Sequence, residues 1–432
     1  MTAEIKPTKY LLQSVATGAI FEDTGWLLDA PGEDQPTLVR AVYEKKQLQL
    51  NEDKAGLYRF SDWLPVVRPL MGSDSPVTYK SEGLSKVLGL SNLYITFSGY
   101  WPAKGATMRT CSFKETEAFS VGARMDGRQP GKVLVVASAG NTARAFAQVC
   151  SDNNIPLLLC VPEDNLNALW FDAALNDCVK LVVTAAGSDY FDAIHLSNLA
   201  CQINGFYAEG GAKNVARRDG MATTMLSATT FIGRIPDYYF QAVGSGTGAI
   251  AAWEANLRFI EDGRFGSHKM KLMVSQNAPF LPIYKAWKVK SRQMLPYDDK
   301  LARQDVESID AKVLSNRRPP YSIAGGLFDA LVDTDGEVLA VENDAARKAA
   351  QLFEQTEGID IHPAAAVATA SLLQAVENNQ VEKDAVVMLN ITGGGEALFA
   401  KENKLYYLQP LIVFPVSPTI EEVKEKIGQL RW

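Results

Sequence analysis

Histidine is scarce in this chain of 432 residues, which contains only His195, His268 and His362. None of the three stands in a metal-ligand spacing such as His-Glu-x-x-His. A hydrolase that depends on a serine–histidine pair or on a histidine-bound metal is therefore not expected. We assign no metal site from the sequence.

Cysteine is also sparse and unpaired in pattern. The five cysteines form no Cys-x-x-Cys pair, and their number is odd. This usage is typical of buried thiols in a reducing compartment rather than of disulfides or a zinc site. Residues 1–28 have no continuous apolar core, so we expect no secretory signal. No apolar run approaches the roughly 18 residues of a membrane span, and a cytoplasmic protein without a membrane partner is expected.

An excess of positive charge is missing too. The net charge is -7, which argues against nucleic acid as the main partner. Hydrophobic residues make up 47% and charged residues 22%, the proportions of an ordinary globular protein with a large core. The length predicts two or three domains. A small anionic substrate remains compatible with an acidic chain, because a local basic pocket can bind it.

What is present is an alternation of short apolar strands and amphipathic helices. This order predicts an α/β fold with mostly parallel sheets. The first 75 residues form a mixed segment, and residues 297–320 form a polar, proline-containing excursion between core elements. The predicted strands are 133–137, 157–161, 179–184, 238–243, 271–274 and 385–391, and the predicted helices are 113–123, 143–150, 190–202, 249–259, 345–354 and 364–377.

Lys114 follows a small hydroxyl residue and an aromatic, Ser112 and Phe113, at the predicted start of a helix. A lysine at such a boundary in an apolar pocket can lose its proton and form a Schiff base with an aldehyde cofactor. A solvated lysine on a first helical turn is the commoner situation, because lysines are mostly exposed. Lys114 alone therefore does not decide between the two.

A glycine-rich loop lies between a predicted strand and a helix, where backbone amides and the helix dipole favour an anion. No Gly-Lys-Ser/Thr ending of a P-loop is present. Gly244 and Gly246 of this loop, with Ala249 after it, fit a dinucleotide-binding turn, but the next strand ends without the expected carboxylate. A glycine turn without a ligand also remains open, and a pyridoxal phosphate cradle would in addition give Lys114 a role. The residues are Gly244, Ser245, Gly246, Thr247 and Gly248.

Two further strand ends carry polar residues. A loop of small residues precedes a helix, and it either binds a carboxylate through backbone amides or is a capping turn. The Asn141 amide could contact a phenolic oxygen. Thr392 follows a near-continuous apolar strand, where parallel sheets bind ligands, although a plain turn is the alternative. The loop consists of Ser138, Ala139, Gly140, Asn141 and Thr142.

Cations near these motifs suggest an anion-binding pocket on an acidic chain. Lys104 and Arg109 precede the lysine motif, and Asn214 and Arg217 stand close together further along. Solvated charge remains the default for any one of them.

Together the motifs resemble the threonine synthase-like branch of the pyridoxal-phosphate enzymes of fold type II. The resemblance implies that Lys114 carries the cofactor, that Asn141 and residues 138–142 hold its ring and the substrate carboxylate, and that residues 244–248 bind its phosphate. It also implies that Thr392 meets the pyridine nitrogen. The segment from Asn214 to Gly220 looks like the family's segment that binds the substrate phosphate.

Within this branch the chain resembles the cysteate synthase family more closely, from about Tyr58 to Gly395. Archaeal members of that group look as though they begin with a Cys-x-x-Cys pair, which the equivalent residues 11–17 lack, so no metal or redox role is expected there. Compared with threonine synthases, this group carries extra residues between Tyr100 and Thr110, and Lys104 and Arg109 are among them. The matching stretches are 59–65, 78–82, 97–102, 110–115, 239–248 and 331–336.

The resemblance implies a tryptophan synthase β-like fold of two doubly wound α/β domains. The expected division is an N-terminal segment 1–75, a large cofactor domain of 76–125 and 226–432, and a small domain of 126–225. It further implies a homo-oligomeric enzyme that converts O-phospho-L-serine and sulfite to L-cysteate and phosphate, for coenzyme M or sulfonolipid precursors. Lys104, Arg109, Ser138, Ala139, Gly140, Thr142, Asn214 and Arg217 would then bind the anionic substrates.

Two alternatives remain open at this point. One is a threonine synthase acting on O-phosphohomoserine, which needs a longer pocket. The other is a nucleotide-binding or regulatory protein that keeps the fold without chemistry.

Overall fold

The computed structural model describes residues 6–125 and 132–432. Its strands form two larger sheets, which are mostly or fully parallel, and three small sheets. The strands are β1 (Tyr10–Ser14), β2 (Ile20–Phe21), β3 (Val39–Tyr43), β4 (Val77–Lys80), β5 (Asn92–Phe97), β6 (Tyr100–Trp101), β7 (Ala106–Thr107), β8 (Val133–Ala137), β9 (Leu157–Pro162), β10 (Trp170–Phe171), β11 (Val179–Thr184), β12 (Phe206–Ala208), β13 (Tyr238–Ala242), β14 (Lys271–Asn277), β15 (Glu337–Val341), β16 (Val386–Ile391), β17 (Tyr406–Tyr407) and β18 (Ile412–Phe414).

Helices alternate with the strands of the two larger sheets. The α-helices are α1 (Gly83–Leu88), α2 (Lys114–Arg124), α3 (Asn141–Asp152), α4 (Tyr190–Ala200), α5 (Val215–Ile232), α6 (Thr247–Asp262), α7 (Pro282–Lys288), α8 (Asp299–Ser308), α9 (Leu327–Asp333), α10 (Asn343–Glu357), α11 (Pro363–Glu377), α12 (Glu396–Glu402) and α13 (Ile420–Gly428). Short 3-10 helices are Gly56–Trp63, Pro102–Lys104, Glu163–Ala168, Gly211–Lys213 and Lys312–Leu314.

The large sheet has six strands in the order β15-β14-β13-β16-β5-β4, and only the β4–β5 pair is antiparallel. Successive side chains on a strand point to opposite faces. Tyr239 accordingly packs in the core that α6 covers, and its neighbour Phe240 packs in the core that α11 covers. Helices on both faces make this sheet doubly wound, as predicted.

The smaller sheet is fully parallel, with the order β12-β8-β9-β11-β18. Its strands are almost entirely buried apolar residues, as expected where helices cover both faces. The strand β18 lies in this sheet and α13 packs against α4. Our expected division placed this C-terminal stretch in the large domain, and its boundary at residue 126 falls outside the described residues. The domain boundaries stay a prediction.

Two segments for which the sequence analysis predicts no helix or strand do contain such elements. The N-terminal segment forms the antiparallel sheet β2-β1-β3. The excursion 297–320 contains the polar helix α8, whose first turn Asp298 caps by accepting a hydrogen bond from Leu301 N at 2.9 Å. Within the described ranges no helix has the length and apolarity needed to cross a bilayer.

Candidate active site

One cleft collects the carboxyl ends of strands from both larger sheets. Its volume is about 860 Å³, including the part that is open to solvent. Residues 138–142 reach it from the end of β8, residues 243–248 from the end of β13, and Thr392 from the end of β16. The remaining lining residues are Phe113, Lys114, Tyr190, Arg217, Gln241, Ala242, Val313, Leu314, Ser315, Asn316, His362 and Ala364.

Lys114 is the first residue of α2, one position later than the predicted helix start. The peptide before it is fixed to the end of β16, because Ser112 forms an antiparallel bridge with Gly393 and Phe113 N donates to Thr392 O at 3.0 Å. The side chain of Lys114 is 20% exposed, at the wall of the cleft. Backbone pairing thus directs the lysine to the strand end that carries Thr392.

Lys114 belongs to a row of alternating charges. Its Nζ donates to Glu117 Oε2 at 3.1 Å, and Glu117 Oε1 lies 2.8 Å from Arg217 Nη2. Arg217 Nη1 in turn donates to Glu209 Oε2 at 2.5 Å. Burial lowers the pKa of Lys114, and Glu117 opposes this by attracting the ammonium. Burial raises the pKa of Glu209 against the attraction of Arg217.

Arg217 lines the cleft together with Lys114, and both side chains are cationic. Both terminal nitrogens of Arg217 are engaged by carboxylates, but its buried Nε has no hydrogen-bond partner among the described residues. A buried donor without an acceptor is costly. Arg217 thus keeps one guanidinium donor without an acceptor, although this atom is covered from the cleft.

The glycine loop turns directly into α6. Gly246 has φ of +79°, and a Cβ there would lie 2.7 Å from Leu327 Cδ2, so this position requires glycine. Thr247 and Gly248 form the first turn of α6, whose initial N–H groups have no acceptor within the helix. Both line the cleft. The predicted glycine turn before a helix is thus present, although the helix begins two residues before the predicted 249. Its role in binding an anion stays a prediction.

The small-residue loop is shorter than predicted, because α3 begins at Asn141 rather than at 143. Ser138 Oγ accepts from Gly140 N at 3.1 Å and shapes the turn. The first N–H groups of α3 lack helical acceptors, which suits a carboxylate. The Asn141 Oδ1 accepts from Arg144 Nη2 at 3.2 Å, and its Nδ2 lies 3.2 Å from His362 Nδ1.

Three residues that we expected to bind substrate do not line the cleft. Lys104 is exposed, with its Nζ 4.9 Å from the centre of the Tyr79 ring. Arg109 is held by Asp172 and Asp152 at 2.5 and 2.7 Å. Asn214 is fully buried as the N-cap of α5. Their positions give no support to a substrate role, which stays a prediction.

Several lining residues were missed from the sequence. Gln241 is a polar residue inside an otherwise apolar strand, a pattern that could have marked it. His362 precedes Pro363, the first residue of α11, and was left without a role. Ser315 and Asn316 belong to the excursion 297–320, and nothing in its composition marks them as part of a site.

The donor set fits pyridoxal phosphate. The cleft contains an amine of lowered pKa, Lys114, that can react with the cofactor aldehyde. It also contains backbone amides at helix starts that can bind the cofactor phosphate. The Asn141 amide and the Thr392 hydroxyl line the same cleft for the polar atoms of the ring. Among the described residues no cluster of histidine, cysteine and carboxylate side chains could hold a metal ion.

A family model and solved structures match this architecture. The family model described as pyridoxal-phosphate dependent enzyme matches residues 97–393. At 14% identity, the diaminopropionate ammonia lyase of Escherichia coli superposes with a TM-score of 0.58 over 77% of this chain and 88% of that one. Maize serine racemase, also 14% identical, gives 0.57 over 76% and 91%. These likenesses confirm the predicted fold class.

Sequence relatives are much closer. The cysteate synthase of Methanosarcina acetivorans is 49% identical over 91% of this chain and 94% of that protein. The cysteate synthase of Methanosarcina mazei is 48% identical over 91% and 94%. That of Methanospirillum hungatei is 44% identical over 98% of both chains. The agreement over nearly the whole length places this chain in the cysteate synthase family of pyridoxal-phosphate-dependent enzymes.

Proposed function

We propose that this protein makes L-cysteate and phosphate from O-phospho-L-serine and sulfite by replacement at the β-carbon. The cleft carries the proposal, because it joins one amine of lowered pKa, two sets of helix-start amides and Arg217. Such a set suits a reaction in which the amino acid, the leaving group and the nucleophile are all anionic. In this reaction the β-carbon–oxygen bond to phosphate breaks and a carbon–sulfur bond to sulfite forms.

Lys114 is the proposed catalytic residue. Its Nζ would hold the cofactor covalently through the aldehyde carbon, and once displaced by substrate it would take the α-proton. Burial supports this second role, because it lowers the pKa of Lys114 and favours the neutral amine. Glu117, 3.1 Å from Nζ, can stabilise the ammonium after the transfer. Nζ would keep this proton beside the substrate and return it to the α-carbon once the carbon–sulfur bond has formed.

The remaining cofactor-binding residues divide by the group that each would hold. Gly244, Ser245, Gly246, Thr247 and Gly248 would bind the phosphate, Asn141 the phenolic oxygen and Thr392 the ring nitrogen. When bound, pyridoxal phosphate supplies the electron sink that makes removal of the α-proton possible. The protein orients the ring between strand ends that both sheets fix.

Anionic substrates require hydrogen-bond donors and positive groups at the wall of the cleft. Residues Ser138, Ala139, Gly140 and Thr142 would bind the substrate carboxylate through the start of α3. Arg217 would bind the phosphate or the sulfite, because it is a cation at the wall of the cleft. A planar guanidinium suits oxyanions. Glu117 and Glu209 keep this cation in place between substrates.

The test is the product formed by the purified protein with added pyridoxal phosphate. Phosphoserine with sulfite is expected to give cysteate and one phosphate per turnover, whereas O-phosphohomoserine is expected to give no threonine. Threonine formation without cysteate would overturn the proposal. The sequence relatives reported above are cysteate synthases, so threonine synthesis is not favoured.

We further propose that the enzyme is a homo-oligomer in the cytoplasm. Cys111, Cys150 and Cys160 are buried free thiols, which supports a reducing compartment. Light scattering during gel filtration would give the number of subunits.

A further inference from the structure

A closed ring of polar contacts links four side chains at the edge of the cleft. Arg144 Nη2 donates to Asn141 Oδ1 at 3.2 Å and to Glu396 Oε1 at 2.6 Å. His362 closes the ring, with Nδ1 3.2 Å from Asn141 Nδ2 and Nε2 2.8 Å from Glu396 Oε1. The contact between His362 Nε2 and Glu396 Oε1 is short, but its angle is too far from linear for a hydrogen bond.

Arg144 fixes the orientation of the Asn141 amide. A guanidinium can only donate, so the amide atom facing it must be the oxygen. Arg144 itself cannot turn away, since it is 2% exposed, its Nε donates to Thr110 O, its Nη1 donates to Ala168 O, and its guanidinium lies 3.9 Å from the centre of the Trp170 ring. The amide nitrogen of Asn141 therefore faces His362.

The tautomer of His362 follows from this orientation. An amide nitrogen can only donate, so Nδ1 must accept and must lack a proton. The hydrogen of a neutral imidazole then sits on Nε2, beside the carboxylate of Glu396. The contact with the Asn141 amide thus selects one tautomer of His362.

We infer that His362 is a positioning residue that holds the Asn141 amide with its second N–H free for a ligand in the cleft. If Asn141 turned over, its oxygen would face the unprotonated Nδ1 and its nitrogen would face Arg144, and both contacts would be lost. The inference rests on the proposed cofactor site, because the ligand of the free N–H is the phenolic oxygen of pyridoxal phosphate. His362 itself acts through Asn141.

The ring also joins the two halves of the cleft. Asn141 and Arg144 lie on α3, which follows a strand of the smaller sheet. His362 is the N-cap of α11 and Glu396 is the first residue of α12, and these two helices flank β16 of the large sheet. The orientation of Asn141 is therefore set by residues of both sheets.

Two matched substitutions separate positioning from simple packing. In His362→Asn the new Oδ1 can take the place of Nδ1 and accept from Asn141. In His362→Gln the longer amide reaches toward Glu396 but leaves no acceptor at Nδ1. We expect His362→Asn to bind added pyridoxal phosphate within about threefold of wild type. We expect His362→Gln to lose roughly tenfold or more, the size of one lost hydrogen bond of about 1.4 kcal/mol.

The binding measurement is a titration of the full-length apoprotein with pyridoxal phosphate, followed by the absorbance of the bound cofactor. Equal affinities for the two variants, or the reverse order, would overturn the inference. If wild type itself bound no cofactor, the proposed function would fail, and the role of Asn141 toward the cofactor with it.

Nitrogen NMR of the imidazoles tests the ring without any cofactor. Only three histidines occur, so histidine-selective labelling gives three ring systems, and the variants at position 362 identify the relevant one. The expected spectrum shows a protonated Nε2 and an unprotonated Nδ1 for His362. An Nδ1–H tautomer at neutral pH would overturn the inference, even if the protein were a fully active cysteate synthase.

Discussion

The Nζ of Lys114 lies 3.1 Å from Oε2 of Glu117, one turn further along the same helix. The carboxylate is completely buried, whereas the lysine is partly open to the cleft. Glu117 also pairs with Arg217, so one carboxylate steadies both cations of the site. The helix that begins at Lys114 thus carries both the proposed base and its counter-ion.

Replacement of the lysine should abolish turnover without unfolding the protein. In Lys114→Ala the cofactor can bind only without a covalent bond, so borohydride reduction should fix none of it to the chain. Turnover should fall below detection, while the circular dichroism spectrum stays unchanged. Lys86→Ala is the matched control, since Lys86 is an exposed lysine near the end of α1. Residual cysteate synthesis in Lys114→Ala would contradict the assignment.

Arg217→Lys should weaken the use of anionic substrates more than it slows chemistry. Lysine keeps the charge between Glu117 and Glu209 but lacks the planar fork and the Nε donor. We expect KM for phosphoserine or sulfite to rise about tenfold or more, with a smaller change in kcat. Arg234→Lys, at an exposed ion pair with Asp237, serves as the control. An unchanged KM for both substrates would remove Arg217 from the binding site.

Stability should depend on pH through Glu115, the neighbour of Lys114. Burial raises the pKa of this carboxyl to about 7, although Thr110 N and Oγ1 donate to it. A raised pKa means that protonation stabilises the folded state. This stabilisation is complete below about pH 4.5 and is lost as the pH rises through about 7. From this group alone, the free energy of unfolding should fall by on the order of 3 kcal/mol across that interval.

Glu115→Gln tests this dependence, because glutamine keeps the acceptor for Thr110 and cannot ionise. Denaturant unfolding at pH 5 and pH 8, values on either side of a pKa of about 7, should show a smaller difference for the variant than for wild type. Glu82→Gln, at an exposed position, should behave as wild type. The same pH dependence in all three proteins would show that Glu115 is ionised throughout.

Arg109→Ala should lower stability rather than substrate affinity. The guanidinium joins Asp172 and Asp152, at 2.5 and 2.7 Å, and does not line the cleft. Loss of these partly exposed pairs should cost about 1–2 kcal/mol of unfolding free energy. KM for both substrates should stay within about twofold, which is below 0.5 kcal/mol. A raised KM at unchanged stability would instead restore the substrate role expected from the sequence.

Strand cores and strand-end motifs could be predicted from the sequence because both are local. The strands Val133–Ala137 and Val179–Thr184 have the predicted bounds, since continuous apolar runs rich in β-branched residues mark strands buried on both faces. The motifs around Lys114, Asn141, Gly246 and Thr392 follow or pair with such strands and meet in one cleft. The predicted family and cofactor are confirmed by the comparisons.

Contacts between distant segments could not be predicted in this way. Helix α8 buries only Ala302, so its sequence carries little apolar signal. Arg109 was grouped with the substrate-binding cations because it stands near Lys114 in sequence, yet Asp172 engages it from another element. Whether a charge faces ligand or is neutralised depends on partners that only folding brings close.

The sequence by itself determined the alternation of strands and helices, the lysine, and the glycine and small-residue turns, because each is specified by neighbouring residues. Tertiary structure alone decided which cations are neutralised, and it placed His362 against Asn141 across 221 positions of sequence. Hydrogen bonds are short and directional, so the orientation of the Asn141 amide depends on which side chains lie next to it in the folded protein. The residues that we propose to carry the chemistry could be identified from the sequence, whereas the residue that we propose to orient Asn141 could not.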